Sequence, residues 1–405
     1  MTIRTVLLLA WFTEVVGGTG LAPVAACAQV AEARTSVAET SKADRATLAD
    51  AVRSYVERRE LAGAVMLVAD ADGVAAVEAV GRADVAADRP MKTDAVFWIA
   101  SQSKPITAAA LMMLVDEGKV SLDDPVEKYL PEFKDQWLVA EQDAARVLLR
   151  RPARKVSVRD LLRHTSGMPF RSLLEQPTLD ALRLADGVRS YAMTNLIYEP
   201  GTKYVYSNAG INTAGRIIEV VSGMPYEKFL DERLFQPLGM RDTTFRPSGE
   251  QLMRLAKSYK PNAKKDGLEE TPISQLTYPL DDPRRTPMPA GGLFSTAHDV
   301  ALFCRMMLRR GELDGRRYLS EAAVAEMTRR QTPESLPQAY GLGFAVGPGN
   351  FGHGGAMATN MTVDVERGLV LVWLVQHAGF PGARAKAQGA LTDAAPAGAA
   401  RPQDR

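Results

Sequence analysis

The fold is decided around the stretch SQSKPITAAALMMLVDEG, which runs from Ser101 to Gly118 directly after the apolar segment AVFWIA (95–100). Pro105 has no amide hydrogen and fits only into the first turn of a helix, so the stretch predicts a helix that begins near Ser101 and ends at Gly118. Residues i and i+3 share one helix face, which lets the Ser101 hydroxyl meet the Lys104 amine. At the positive end of the helix dipole, that amine can accept the hydroxyl proton and the serine amide can bind an oxyanion.

Strand patterns occur on both sides of this helix. Upstream, two apolar runs are joined by Asp72-Gly73, a turn pair typical of a β-hairpin. Downstream, three further segments have the apolar composition of strands. The predicted strands are AVMLVAD (64–70), VAAVEAVG (74–81), YGLGFAVG (340–347), ATNMTVDV (358–365) and LVLVWLVQH (369–377).

Helical patterns flank the strands and dominate the middle of the chain. Residues 43–61 have amphipathic spacing, and an Ala-rich helix is expected near residues 383–395. Thr296-x-x-Asp299 has the form of a capping box and predicts the start of the helix DVALFCRMMLRRG (299–311). Between residues 118 and 285, helical stretches alternate with Pro, Gly and long polar connections.

This order of elements predicts two domains. Strands lie at both ends of the chain, which indicates one α/β domain formed by residues 44–110 and 286–396. A mostly helical domain, residues 111–285, is inserted into it. The fold class is therefore α/β, in the α+β sense, and the interface between the domains is the expected substrate cleft.

Composition and charge exclude several classes of protein. The 405 residues are 46% hydrophobic and 24% charged, and 49 basic against 48 acidic residues give a net charge of +1. Such a chain is neither disordered nor collagenous and can form a large core. No concentrated basic surface is indicated, so no nucleic-acid partner is expected. After the N-terminus, no stretch reaches the roughly 18–20 apolar residues of a transmembrane helix.

The N-terminus predicts export. In MTIRTVLLLAWF, Arg4 precedes an apolar run as in a secretory signal peptide, although Glu14 interrupts the run. Ala26-Cys27-Ala28 predicts cleavage before Gln29 and a signal peptide over residues 1–28. Val24-Ala25-Ala26-Cys27 also resembles a bacterial lipobox, which would make Cys27 a lipid anchor. The expected location is thus the periplasm or the membrane surface of a bacterium, unless the translation start is misassigned.

The remaining terminal segments and the cysteines point to no further structure or metal. Residues 29–43 read as a linker and residues 397–405 as a disordered tail. Cys27 and Cys304 are the two cysteines, so no disulfide framework is expected, and Cys304 is predicted to be a buried small hydrophobe. The histidines lack metal spacing, and we expect neither a metal nor a cofactor; they are His164, His298, His353 and His377.

Two further motifs carry chemistry, although each is weak when taken singly, as is S-x-x-K. In Tyr206-Ser207-Asn208, a phenol beside a lysine ammonium can act as a base, and the alternative is a core tyrosine with a turn asparagine. In FGHGGA (351–356), glycines that enter a strand let a ligand approach the backbone, and the alternative is an ordinary glycine-rich turn.

In this order and at these separations, the three motifs resemble the serine β-lactamase and penicillin-binding-protein superfamily, in its class C-like branch of esterases and peptidases. The resemblance covers about residues 45–395 and implies a β-lactamase/DD-peptidase-like fold, an antiparallel sheet flanked by helices with an inserted helical domain. Other similar stretches are LLRHTSGMP (161–169), PGTKYVYSNAGINTAGRIIEVVSG (200–223), LFQPLGMRDTTF (234–245) and PAGGLFSTAHDVALF (289–303).

The resemblance also implies residue roles. Ser101 would be the nucleophile, with Lys104 beside it and Tyr206 as the general base. The reaction would be acyl transfer through a covalent acyl-serine, followed by hydrolysis. The resemblance implies that the Asn208 side chain helps to hold Lys104 and the substrate amide, and that His353-Gly354-Gly355 is the third motif of the substrate-binding site. The oxyanion hole it implies is formed by the backbone amides of Ser101 and Ala356.

Some rival sites are set aside. No serine lies in a G-x-S-x-G motif, so an α/β-hydrolase is excluded. Ser103 does not share a helix face with its neighbours at i±1 and is a poor nucleophile. His164 and Ser166 of HTSGMP resemble a catalytic pair, but in the related proteins this segment is a structural turn.

The predicted function is an exported serine hydrolase for small ester, amide or peptide substrates. Gly354 offers no hydroxyl, and His353 is charged only when protonated, so the carboxylate of a β-lactam lacks a strong partner unless Arg284 or Arg285 supplies one. An esterase is therefore favoured over a true β-lactamase. The alternatives are a penicillin-binding or sensor protein that is acylated without efficient turnover, and a D-amino-acid peptidase or β-lactamase.

Overall fold

A seven-stranded antiparallel sheet forms the centre of the fold. The structure, a computed structural model, describes residues 47–176, 178–379, 389 and 391–393. The strands are β1 (Gly63–Ala69), β2 (Val74–Asp84), β3 (Arg89–Pro90), β4 (Phe97–Trp98), β5 (Leu138–Gln142), β6 (Val147–Arg150), β7 (Tyr259–Pro261), β8 (Leu268–Glu270), β9 (Phe294–Ser295), β10 (Glu312–Leu313), β11 (Arg316–Arg317), β12 (Ala345–Gly347), β13 (Asn350–Gly354), β14 (Asn360–Asp364) and β15 (Leu369–Leu374). The large sheet has the order β12-β13-β14-β15-β1-β2-β3.

Helices pack around this sheet. They are α1 (Leu48–Glu57), α2 (Ser103–Asp116), α3 (Val158–Leu162), α4 (Leu184–Ala192), α5 (Asn208–Ser222), α6 (Tyr226–Leu230), α7 (Gln236–Leu238), α8 (Gly249–Arg254), α9 (Ala297–Leu308) and α10 (Glu321–Thr328). Short 3₁₀ turns occur at Ala100–Gln102, Val126–Lys128, Pro131–Phe133 and Leu173–Glu175, and a π-helical turn at Asp231–Phe235. The predicted fold class, an antiparallel sheet flanked by helices, is confirmed.

The middle of the sheet joins two strands that are distant in sequence, one near the start and one near the end of the described residues. β1 pairs with β15 antiparallel, with Val65 opposite Leu374 and Ala69 opposite Val370. The predicted hairpin of β1 and β2 is present, and its turn is held by the Asp70 carboxylate, which accepts from the Asp72 amide at 2.8 Å and the Gly73 amide at 2.9 Å.

Alternate residues of the central strands enter two separate cores, because successive side chains of a strand point to opposite faces. One core contains Met66, Val68 and Trp373 and is covered by α1. The other contains Leu67 and Val372 and continues into the helices that carry the candidate site. Strands β1 and β15 are buried along their whole length, which explains their unbroken apolar sequences.

Helix α2 is the helix predicted from residue 101 onward. It is buried from Ser103 to Leu114 and packs against α5 on one side of the core. Gly118, with φ of 69°, follows its end as expected for a glycine in the left-handed conformation. The predicted helix is thus present with its end as expected, and the boundary predicted at residue 110 falls within it.

Several elements differ from the sequence expectation. The segment 340–347 is a strand only over β12, and α1 is shorter than the predicted helix over residues 43–61. The hairpin β5–β6 was missed because the residues of β6 are all exposed and show no apolar–polar alternation. Asp299 does not complete the capping box, since its carboxylate accepts from the Asp242 amide at 2.7 Å instead of the Thr296 amide.

Other predictions fall partly or wholly outside the described residues. These are the signal peptide over residues 1–28, the lipid anchor at Cys27, the linker over 29–43 and the tail over 397–405. Of the helix near residues 383–395, residues 389 and 391–393 are described, and they are helical. The division into two domains stays a prediction.

The described residues also bear on membrane and metal binding. None of the helices in the described ranges is long and apolar enough to cross a membrane. Within the same ranges, no group of three or more His, Cys, Asp and Glu side chains could hold a metal ion. Cys304 is fully buried, and burial raises the pKa of its thiol.

Candidate active site

Ser101 lies in the 3₁₀ turn that leads into α2. The residue before it, Ala100, has a φ of 49°, in the left-handed region that non-glycine residues rarely adopt. One helical turn later, Lys104 Nζ donates to Ser101 Oγ at 3.1 Å and to the Ala290 carbonyl at 2.6 Å. The i, i+3 contact of hydroxyl and amine is therefore present in the structure.

The Lys104 amine is poised to accept a proton. Its side chain is fully buried, and its two hydrogen-bond acceptors, a hydroxyl and a carbonyl, are uncharged. Burial disfavours the ammonium form and lowers the pKa of Lys104 well below its usual range. An uncharged amine at this distance can take the proton of Ser101 Oγ directly.

Tyr206 lies beside both the lysine and the serine, in the loop before α5. The Lys104 Nζ atom is 4.6 Å from the centroid of the Tyr206 ring. Burial raises the pKa of Tyr206, and the contact with the Ser101 side chain lowers it by less. The phenol therefore keeps its proton, contrary to the expectation that a lysine ammonium would increase its acidity. The reason is that burial disfavours both the phenolate of Tyr206 and the ammonium of Lys104.

The third motif ends β13 next to the turn that carries the serine. A Cβ atom on Gly355 would lie 2.5 Å from the Ile99 carbonyl oxygen and 2.1 Å from Thr359 Oγ1, so only glycine permits this approach. Ala356 follows and is exposed. The strand end thereby lies against the chain just before Ser101, whose amide the resemblance pairs with that of Ala356.

His353 points into the protein from the same strand. Its ring centroid is 6.1 Å from that of Tyr206, and its Nδ1 atom is 2.7 Å from the Gly354 carbonyl oxygen. Burial lowers the pKa of His353 to about 3. The imidazole is therefore neutral at pH 7.

Asn208 begins α5 and is 4% exposed. Its backbone amide donates to the Phe170 carbonyl at 3.0 Å, whereas its Oδ1 atom has no hydrogen-bond partner among the residues described. The contact with Lys104 that the resemblance implies is not made through Oδ1. The Ala290 carbonyl takes that place, as the acceptor of the second Lys104 hydrogen bond.

Comparison with known proteins assigns the family. A sequence model of the family described as Beta-lactamase matches residues 48–395. The chain belongs to this family. Protein Rv1367c of Mycobacterium tuberculosis is 33% identical over 366 residues, which cover 80% of this chain and 88% of the relative. Esterase EstB of Burkholderia gladioli is 33% identical over 287 residues, 64% of this chain and 69% of the esterase.

Solved structures agree on the fold. The structure described as EstCE1, a hydrolase with promiscuous acyltransferase activity, superposes with a TM-score of 0.72 at 24% identity and covers 88% of this chain and 99% of its own. The resemblance inferred from the three motifs is thus confirmed, and this beta-lactamase-family protein is a serine hydrolase.

The rival serines are committed to structural hydrogen bonds. Ser103 Oγ donates to the Ala100 carbonyl at 2.7 Å and accepts from the Leu293 amide at 3.2 Å. Ser166 Oγ accepts from the Met168 amide at 3.2 Å. Both side chains are buried, so neither offers a free hydroxyl to a substrate.

One residue beside the site was missed by the sequence interpretation. Tyr340 is fully buried, and its hydroxyl lies within hydrogen-bond distance of both His164 and His353. The sequence interpretation placed it at the start of the predicted strand 340–347. The signal that could have found it is a tyrosine hydroxyl in an otherwise buried segment, since such a hydroxyl needs a partner.

Proposed function

We propose that this serine hydrolase cleaves small neutral esters through a covalent intermediate on Ser101, and that β-lactams are poor substrates. The observation that supports this proposal best is the 3.1 Å hydrogen bond between Ser101 Oγ and the Lys104 amine, whose pKa burial lowers well below its usual range. A nucleophile with a base at hydrogen-bond distance is the arrangement that acyl transfer requires.

The proposed reaction has two halves. Lys104 Nζ takes the proton of Ser101 Oγ while the oxygen bonds to the ester carbonyl carbon, and the Ser101 and Ala356 amides hold the resulting oxyanion. When the C–O bond of the alcohol breaks, the proton passes to the leaving oxygen through the Tyr206 phenol. A water molecule then attacks the acyl-serine, its proton takes the reverse route, and the acid and free Ser101 are released.

The proposed preference for neutral substrates rests on the charges around the third motif. His353 is neutral, and Gly354 has no hydroxyl, so neither offers a charge-assisted hydrogen bond to a substrate carboxylate. The two arginines considered as substitutes are engaged elsewhere. Arg285 Nε donates to Asp180 at 2.7 Å in a buried pair, and Arg284 donates to Asp282. Loss of one charge-assisted bond costs about 1.5–3 kcal/mol.

The test is a comparison of kcat/KM for p-nitrophenyl acetate and butyrate with that for a chromogenic cephalosporin. We expect both esters to exceed the cephalosporin at least about tenfold, in line with the lost hydrogen bond. A higher value for the cephalosporin would identify a β-lactamase and contradict the proposal. A stable acyl group on Ser101 without turnover of any ester would instead indicate an acylated sensor.

We also propose export, which is supported by the apolar run after Arg4 and by the two cleavage signals around Cys27. Expression of the full chain in a Gram-negative bacterium, followed by fractionation and labelling with a radioactive fatty acid, tests both forms. Label that is lost in Cys27→Ser indicates the lipoprotein, and unlabelled periplasmic protein indicates simple export. Protein confined to the cytoplasm would contradict the proposal.

A further inference from the structure

We infer that His164 and Tyr340 are positioning residues: a hydrogen-bonded chain from His164 through Tyr340 to His353 sets the position of Tyr206 relative to the end of β13. The inference rests on the proposed function, because it assigns these residues a purpose in that reaction. His164 was expected only to stabilise a turn, and Tyr340 was expected to be a strand residue.

His164 holds the backbone on both sides of Tyr206. Its carbonyl accepts from the Val205 amide at 3.0 Å, and its Nδ1 atom accepts from the Ser207 amide at 3.2 Å. Its ring also packs against the Tyr206 ring, with 4.5 Å between the centroids. The tyrosine is thereby fixed by one residue that precedes it by 42 positions.

The hydrogen bond from the Ser207 amide to His164 Nδ1 determines the tautomers of the two histidines in the hydrogen-bonded chain. Because His164 Nδ1 accepts, a neutral imidazole carries its proton on Nε2, which lies 3.3 Å from the Tyr340 hydroxyl and donates to it. The Tyr340 hydroxyl can then donate to His353 Nε2, 3.0 Å away. His353 Nδ1 carries the remaining proton and donates to the Gly354 carbonyl at 2.7 Å. Every member of the chain has a donor or acceptor that matches its neighbour.

Burial makes this arrangement rigid. The exposed fractions of His164, Tyr340 and His353 are 0%, 3% and 8%. Burial lowers the pKa of both imidazoles and raises that of Tyr340, so all three groups are uncharged, as the tautomers require. An unpaired polar group at such a site is costly, which favours one closed arrangement of the three side chains.

The backbone of His164 is strained in a way that this role explains. Its φ of 61° is unusual for a residue other than glycine. A strained conformation persists only where the surrounding contacts determine it, and such positions cluster at functional sites. The conformation lets one residue present both its carbonyl and its Nδ1 atom to the segment that carries Tyr206.

The chain thus connects two parts of the site that are distant in sequence. Its His164 end holds the tyrosine, and its His353 end holds the last residues of β13, which lead into Gly355 and Ala356. A break in the middle leaves both ends folded but lets them move independently. Displacement of a reacting group by about 1 Å can reduce the rate of a reaction by about 10²-fold.

The first test is Tyr340→Phe, which removes the linking hydroxyl and keeps the ring. We expect kcat for ethyl butyrate, whose alkoxide leaving group needs the Tyr206 proton, to fall about 10- to 100-fold with KM changed less than threefold, because the lost contact acts on Tyr206 and not on substrate binding. The matched control is Tyr204→Phe. The Tyr204 ring packs against the rings of His164 and Tyr340, with centroid distances of 5.8 Å and 5.5 Å. We expect the kcat of Tyr204→Phe to be within twofold of that of wild type.

The second test is His164→Asn. Asparagine tolerates the left-handed conformation, and its side-chain oxygen can replace Nδ1 as the acceptor for Ser207, but it cannot reach Tyr340. We expect a loss of kcat at least as large as in Tyr340→Phe, since the packing of the His164 ring against Tyr206 is lost too, and a double variant as active as His164→Asn alone, because both changes break one chain of hydrogen bonds. Near-ultraviolet circular dichroism and Tm identify variants that fail to fold.

Two results would overturn the inference. One is a kcat of Tyr340→Phe within twofold of that of Tyr204→Phe, and the other is a double variant whose losses multiply. A wild-type protein without ester turnover would contradict the proposed function and not the hydrogen-bonded chain, so the rate at which a penicillin, whose amine leaving group needs a proton, acylates Ser101 is measured by mass spectrometry in the same variants. A positioning role predicts the same order of rates in that reaction.

Discussion

The titratable groups on the two sides of the site differ in how their hydrogen bonds constrain them. On the α2 side, the buried Lys104 amine bonds to a hydroxyl and a carbonyl and retains the capacity to accept a proton. On the opposite side, formed by the end of β13 and the turn after α3, the imidazoles of His353 and His164 have their ring nitrogens in hydrogen bonds with fixed directions. The difference supports our proposal that Ser101 and Lys104 react with the substrate, while the histidines and Tyr340 set the geometry of the site.

The largest effect is expected for Ser101→Ala, which removes the proposed bond-forming atom. We expect kcat to fall by at least about 10³-fold while Tm stays close to that of wild type, since triad enzymes keep a small residual rate without the nucleophile. Mass spectrometry after incubation with a fluorophosphonate should locate the label on Ser101 in wild type. Label on Ser103 or Ser207 would refute the assignment.

Lys104 distinguishes an uncharged base from a fixed charge. Lys104→Ala should lower kcat about 10²–10⁴-fold. Lys104→Arg keeps a positive charge that cannot be neutralised near pH 7, so we expect it to be at least as inactive as the alanine variant. In wild type, kcat/KM should fall with decreasing pH as the amine becomes protonated, with a midpoint far below the ordinary pKa of lysine. Near-normal activity of Lys104→Arg would show that the charge, not the base, matters.

Tyr206→Phe tests the group that lies between the two sides. The ring and its packing against His164 remain, so KM should change little, while loss of the phenol proton should reduce kcat by up to about 10²–10⁴-fold and no more than Lys104→Ala does. The reduction should be smaller for p-nitrophenyl esters than for alkyl esters, because p-nitrophenolate leaves without a proton. Equal reductions for both ester types would contradict a role in protonating the leaving group.

The smallest effect concerns stability at acid pH. The pKa of His353 is about 3 in the folded protein and about 6.5 in the unfolded chain, so the unfolded state binds more protons between these values. Stability is therefore full above pH 6.5 and declines as the pH falls towards 3, with a slope of up to about 1.4 kcal/mol per pH unit from this group. Urea denaturation at pH 7.0 and 5.0 should show a smaller decline for His353→Asn than for wild type. Equal declines would mean that His353 is not buried as a neutral group.

The features that could be predicted from the sequence are formed by residues close together along the chain. The pair Ser101 and Lys104 are three residues apart, and helix periodicity alone brings them together. The β1–β2 hairpin was predictable for the same reason, since Asp72-Gly73 and the flanking apolar runs are local signals. The β5–β6 hairpin was not, because β6 is exposed on both faces and carries no pattern of burial.

The three motifs taken together predicted more than any one of them alone. Their order along the chain indicated the family, and the family implied the antiparallel sheet. The motifs also indicated Tyr206 and His353 as site residues, but they could not indicate the protonation of these residues. Protonation depends on how much solvent the folded chain excludes, and burial lowers the pKa of Lys104 and His353 and raises that of Tyr206.

Local patterns therefore determined the helix that carries Ser101, the strands of the central sheet and the class of reaction. Tertiary structure alone decided that the Ala290 carbonyl, and not the Asn208 oxygen, accepts from Lys104, and that Tyr340 links His164 to His353. The reason is physical. Hydrogen bonds from a side chain to a side chain 176 positions away, or to a backbone carbonyl 186 positions away, depend on how helices and strands pack, and packing leaves no periodic signal in the order of residues.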